Sequence, residues 1–171
     1  MKSNKVTDKC VGQTHSRRNA LLFFVVFVVW FTLDYVSKKV LNDYTVGQII
    51  SDPILGIFRL RLVHNTGMAW GMFADSTILL GVVSVAVCLL FTLYLFMSSS
   101  HASVIETLGI ALVVAGGIGN ALDRFVSGYV VDFIDLTFMD FPVFNIADIG
   151  VTCGFILFVI ALICSMRKED A

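Results

Sequence analysis

The sequence predicts an all-α membrane protein: a four-transmembrane-helix bundle with a small extracytoplasmic β-sheet on the membrane surface. Three observations carry that expectation. The chain has 171 residues, 57% hydrophobic and only 15% charged, which is too apolar for an ordinary soluble domain. Four runs, residues 20–36, 76–97, 103–122 and 146–166, are each long enough or nearly so to cross hydrocarbon. A span takes roughly 20 residues at about 1.5 Å rise each. The polar and strand-like sequence falls between these runs, in residues 40–75 and 124–145.

The first run has no polar face. Phe23 to Phe31 is apolar all round, and so is Ile78 to Leu95 in the second. A soluble four-helix bundle would need a wet side on each helix. The spans take up about half the chain, so residues 1–171 read as one integral membrane domain. A removable leader is not expected, because Asp34 and Lys38 end the first run and no small-residue cleavage pattern follows. Residues 1–19 read as a cytoplasmic basic tail without imposed structure.

Orientation follows from the basic residues. Lys2, Lys5, Lys9, Arg17 and Arg18 precede the first span, and Arg167 and Lys168 follow the last. Both termini are therefore expected in the cytoplasm, as an even number of spans permits. Lys38 and Lys39 outside the first span run against that bias, and the Ser98-Ser99-Ser100-His101 connection carries no Lys or Arg. The N-terminal cluster dominates.

The outer segments hold the non-helical structure. Phe58, Leu60 and Leu62 alternate with Arg59, Arg61 and Val63, the period of a half-buried strand with its arginines facing water. His64-Asn65-Thr66-Gly67 reads as a turn, and Trp70 and Phe73 suit the headgroup region. In the second outer segment Val130-Val131 and Leu136-Thr137-Phe138 are candidate short strands, with Pro142 ending the last. Gly116 to Asn120 and Gly150 to Gly154 have the small-x-x-x-small spacing that lets helices approach closely. Cys88, Cys153 and Cys164 lie in apolar runs and Cys10 in the tail, without metal spacing, so they read as small buried hydrophobes. No basic patch interleaved with aromatics points to nucleic acid.

Carboxylates are costly near hydrocarbon and call for partners or a function. Asp34 and Lys38, four apart, share one helix face and read as an ion pair. Asn120, Asp123 and Arg124 close the third span, Asp123 beside Arg124 reading most simply as a satisfied pair. Asp132 sits among Val130, Val131 and Phe133, in surroundings that raise a carboxyl pKa. Asp148 lies in the first turn of the fourth helix after the cap Asn145, where the helix terminus favours the ionised form. If the two approach, they can share a proton and activate water against an amide. His64 and His101 have no partner evident in the sequence.

From Asp34 to Gly154 the pattern resembles bacterial lipoprotein signal peptidase, signal peptidase II. The matching pieces are Asp34-x-x-x-Lys38, Asn65-x-Gly67-x-Ala69, Gly117-x-Gly119-Asn120-x-x-Asp123-Arg124, Val131-Asp132-Phe133 and Phe144-Asn145-x-Ala147-Asp148. Each piece is weak by itself; together they are specific. Met68 and Trp70 depart from residues often small or Phe, and the N-terminal tail is long.

The resemblance implies four membrane helices, an outer-surface sheet, and an aspartic endopeptidase that removes the signal peptide from diacylglyceryl-cysteine prolipoproteins. Asp132 and Asp148 would form the catalytic dyad. Asn65, Gly67, Asn120, Arg124 and Asn145 would line the site, with Asp123, Asp34 and Lys38 in support. No cofactor and no metal is implied. The partners would be lipidated prolipoprotein substrates and membrane lipid, with no obligate protein partner, in the bacterial cytoplasmic membrane with the site facing outward.

Two other classes compete. A small proton-coupled carrier could use the aspartates as a relay. It would place charges near mid-span and break its helices at matched positions, whereas these carboxylates cluster at one rim. A divalent-metal enzyme would need oxygen ligands converging on one ion, and its activity would be sensitive to chelators.

Overall fold

The computed structural model describes residues 4–67, 76–98 and 102–169; the expected anchors Trp70 and Phe73, Ala69 of the motif and His101 lie outside these. They form four helices, α1 (Asn4–Leu41), α2 (Thr77–Ser98), α3 (Val104–Val126) and α4 (Ile146–Glu169), with strand β1 (Phe58–Asn65) between α1 and α2 and strand β2 (Val130–Leu136) between α3 and α4. Within them, four stretches are long and apolar enough to cross a membrane: Ser16–Leu41, Thr77–Ser98, Val104–Val126 and Ile146–Arg167.

Helix α1 starts well inside the stretch expected to be an unstructured tail. That stretch contains no proline and a single glycine, Gly12, so nothing in it stops a helix growing back from the apolar run. Helix α3 begins with a reciprocal cap. Ser103 Oγ accepts from Glu106 N–H at 3.1 Å, and Glu106 accepts from Ser103 N–H at 3.2 Å. Beside it, the buried Asn19 of α1 donates to the Ala102 carbonyl at 2.9 Å.

Helix α3 is the centre of the bundle. Ile110, Ala111, Ala115 and Ala121 are buried, while Phe24, Leu79, Leu90, Phe155 and Ile156 on the other helices are exposed. Exposed apolar residues on every outer helix are what a hydrocarbon solvent requires. Lipid supplies no hydrophobic drive between helices, so close packing must supply the attraction. Gly109 of α3 and Gly154 of α4 meet backbone to backbone. A Cβ on Gly109 would stand 2.6 Å from the Gly154 carbonyl, and one on Gly154 would stand 2.5 Å from the Gly109 carbonyl. Cys88 is buried in the core, whereas Cys153 and Cys164 are exposed on α4, because the apolar run around them faces outward.

The two strands pair antiparallel at the bundle end where α1 and α3 finish and α4 begins. Phe58 to Leu60 face Leu136 to Ile134, and Val63 to Asn65 face Asp132 to Val130, with a bulge between the two blocks. Strand β1 runs on through His64 and Asn65, so the turn falls later than expected. Val130 to Leu136 is one strand, where two fragments were expected. Pairing to β1 holds Asp132 extended between them. Arg59 and Arg61 are half-exposed and share Asp135, with Nε to Oδ2 distances of 2.7 and 3.2 Å. Leu62, Val131 and Phe133 pack beneath the sheet.

Candidate active site

The bulge decides which side chains meet. A slip of one residue turns a strand's side chains to the opposite face. With the bulge, Asp132 opposes Val63 and Val130 opposes Asn65, so Asp132 and Asn65 are diagonal neighbours on one face. Asn65 Nδ2 donates to Asp132 Oδ2 at 3.0 Å. The other oxygen of Asp132 accepts from Asn145 Nδ2 at 2.7 Å. Asp132 is buried, and burial together with the nearby Asp148 carboxylate pushes its pKa up to about 7.

Asp148 is held by the start of α4. Its N–H donates to Asn145 Oδ1 at 2.9 Å, and its Oδ2 accepts from Asn145 N–H at 3.1 Å. This is a capping box with Asn145 as the cap and Asp148 three residues on. The same asparagine therefore fixes one carboxylate through its side-chain oxygen and backbone, and the other through its side-chain nitrogen. Asn120 Nδ2 donates to Asp148 Oδ1 at 2.7 Å.

Asp34 and Lys38 are paired at 2.8 Å, yet both are buried rather than at the wet rim. Asp34 Oδ1 accepts the Ala147 N–H at 2.9 Å, taking up one of the amides that a helix start leaves without a partner. Gly119 is required here: a Cβ at that position would stand 2.5 Å from Asp34 Oδ2. Lys38 also reaches Asp123 Oδ2 at 3.0 Å and Asn120 Oδ1 at 2.8 Å.

Asp123 is not paired with Arg124 as the sequence suggested. Residues adjacent on a helix point about 100° apart, so Asp123 turns to Lys38 and to the Val131 N–H at 3.3 Å. Arg124 instead donates to the carbonyls of Asn120 at 3.4 Å and Gly67 at 3.2 Å. Its buried Nε has no hydrogen-bond partner among the described residues. The Gly67 N–H closes a turn onto Asn65 Oδ1 at 3.0 Å. His64 contacts Asn42 at 2.8 Å and stacks on Tyr129.

Asn65, Arg124, Asp132 and Asp148 line one cavity of about 210 Å³ together with Phe141 to Phe144. That segment was not anticipated as site lining; its signal was Pro142 among apolar residues just ahead of the Asn145 cap. A second cavity of about 210 Å³, largely apolar, lies between α2, α3 and α4, lined by Leu80, Val87, Val113 and Val151 and also by Arg124.

Four membrane-length helices with a carboxylate-bearing cleft at one rim define a polytopic membrane protein built around a charged site. The sequence model of the family described as Signal peptidase (SPase) II matches residues 26–164. The chain belongs to the signal peptidase II family and is a peptidase. It is 37% identical over 147 residues to a lipoprotein signal peptidase of Nostoc punctiforme, covering 84% of this chain and 90% of that one. It is 34% identical over 150 residues to one from Streptococcus pyogenes serotype M2, covering 87% and 95%. A bacterial membrane enzyme solved in meso at 2.3 Å matches with TM-score 0.77 at 28% identity, over 86% of this chain and 90% of that one. Another, solved at 1.9 Å, matches with TM-score 0.72 at 30% identity, over 82% and 91%.

Proposed function

We propose that this protein removes the signal peptide from diacylglyceryl-cysteine prolipoproteins at the outer face of the bacterial cytoplasmic membrane, with Asp132 and Asp148 as an aspartic dyad. One observation carries the chemistry. Asn145 bonds both carboxylates, through Nδ2 to Asp132 and through its backbone N–H to Asp148, so both are turned into one cleft. Two carboxylates that line one cavity and raise each other's proton affinity can share one negative charge. The ionised member takes a proton from water as the oxygen attacks the scissile carbonyl, and the protonated member donates to the developing oxyanion. Collapse of the tetrahedral intermediate then passes a proton to the leaving amine.

The substrate fits the surroundings. Its peptide backbone would lie along the cleft, with Asn65 and Arg124 as donors. Its acyl chains would occupy the apolar cavity between α2, α3 and α4, which shares Arg124 with the lining of the cleft. The basic residues before the first span and after the last support cytoplasmic termini and an outward-facing cleft.

The test is processing by isosteric variants. Asp132→Asn and Asp148→Asn should each fold, bind lipidated precursor and leave it uncleaved. Normal processing by either one would remove the dyad.

A further inference from the structure

We propose that Lys38 is a positioning residue for hydrolysis: it dictates which way the Asn120 amide faces, and so delivers an N–H to Asp148. The inference rests on the dyad reading above and extends it to a side chain that bonds to neither dyad carboxylate.

An ammonium has three donors and no acceptor. Those of Lys38 meet Asp34 Oδ2 at 2.8 Å, Asp123 Oδ2 at 3.0 Å and Asn120 Oδ1 at 2.8 Å. Because Lys38 can only donate, Asn120 must present its oxygen there. Its nitrogen is then turned to Asp148 Oδ1 at 2.7 Å. Asn145 Nδ2 donates to the same Asn120 oxygen at 3.0 Å and reinforces the orientation. A flipped Asn120 would set NH₂ against ammonium and oxygen against carboxylate, two repulsive contacts in a buried place.

The interposed amide has a chemical consequence. A lysine bonded directly to Asp148 would make a charge-assisted pair and hold that carboxylate too firmly ionised to trade a proton. The amide instead passes on a donor that carries no full charge, so Asp148 keeps a hydrogen bond without a cation against it. Asp34 ties the arrangement to the same helix start, since its other oxygen holds the Ala147 N–H one residue before Asp148. A plain ion pair anchoring α1 would need no amide between itself and the dyad.

The experiment uses the full chain in detergent micelles with a synthetic diacylglyceryl lipopeptide. Lys38→Met combined with Asp34→Asn removes the charge together with one partner. The expected result is a folded enzyme with kcat down by about 30-fold or more and KM within about threefold, a split that loss of packing alone does not produce. Turnover by the folded variant within about threefold of the parent overturns the proposal. Asn120→Asp provides a second route if the double variant does not fold. It leaves Lys38 its three acceptors but offers Asp148 an oxygen, so kcat should fall by about 100-fold at unchanged KM. Parental kcat in Asn120→Asp overturns the proposal independently. Asp132→Asn is assayed in parallel. If it is inactive while the Lys38 and Asn120 variants are normal, only the positioning role fails. If it also turns over normally, the dyad itself fails.

Discussion

Asn145 and Asp148 cap each other at the head of α4, the Asp148 N–H on Asn145 Oδ1 at 2.9 Å and the Asn145 N–H on Asp148 Oδ2 at 3.1 Å. A common helix-start device thus holds a carboxylate of the cleft in place. Removing the cap should therefore affect stability and turnover separately. Asn145→Ala loses the cap and should cost about 1 kcal/mol of stability. Asn145→Ser keeps an oxygen for the Asp148 N–H but has no NH₂ for Asp132. It should unfold close to the parent temperature and still lose about 100-fold or more in kcat. Thermal unfolding and lipopeptide turnover on the two variants separate the roles.

Activity should decline as pH rises through about 7, where Asp132 gives up its proton. Burial is the main cause of that raised value, with the Asp148 charge second. From the ordinary carboxyl value of 3.8 up to about 7, the folded protein keeps a proton that the unfolded chain has lost. Stability from this group is complete below that window and falls across it as pH rises. Melting temperatures between pH 5 and 8 should drop less steeply in Asp132→Asn than in the parent. Equal slopes would show that Asp132 does not titrate there.

Asp123 bonds to Lys38 and to the Val131 N–H rather than to Asp132 or Asp148, the proposed dyad. Asp123→Asn retains an oxygen for either contact. It should keep turnover within about tenfold of the parent, far from the loss at Asp132 or Asp148. A folded Asp123→Asn enzyme without turnover would restore this aspartate as a rival catalytic group.

Gly109 and Gly154 let α3 and α4 touch through their backbones, and neither neighbour can swing aside. Gly109→Ala should destabilise the protein by about 1–3 kcal/mol. Unfolding in mixed micelles at graded denaturant provides the measurement. An unchanged midpoint would mean that the helices part at little cost.

Chelators should leave turnover intact. Both oxygens of Asp132 accept side-chain amide N–H groups, and those of Asp148 accept one side-chain and one backbone N–H. That set suits a carboxylate pair working by proton transfer. Inhibition by a chelator, reversed by added divalent metal, would favour the metal-enzyme alternative.

Much of this molecule is readable along the chain because the signals are local. Twenty apolar residues make a span wherever they stand, and Asp34 four before Lys38 makes a helix-face pair. Asn145 three before Asp148 makes a cap by spacing alone. The fold class, the ion pair and the short list of polar residues needed no third dimension.

What the sequence could not express is direction across space. Asp123 and Arg124 are neighbours in the chain and read as partners, but adjacent helix positions diverge, and each bonds elsewhere. The bulge between Leu60 and Val63 leaves no mark in the residues, yet it alone puts Asn65 and Asp132 on one face. Lys38, Asn120 and Asp148 sit on three different helices, and only close packing, with Gly119 making room for Asp34, joins them. The sequence determined which groups could be charged within the membrane. Tertiary structure decided which of them bond to one another, because a hydrogen bond depends on distance and angle that residue order does not contain.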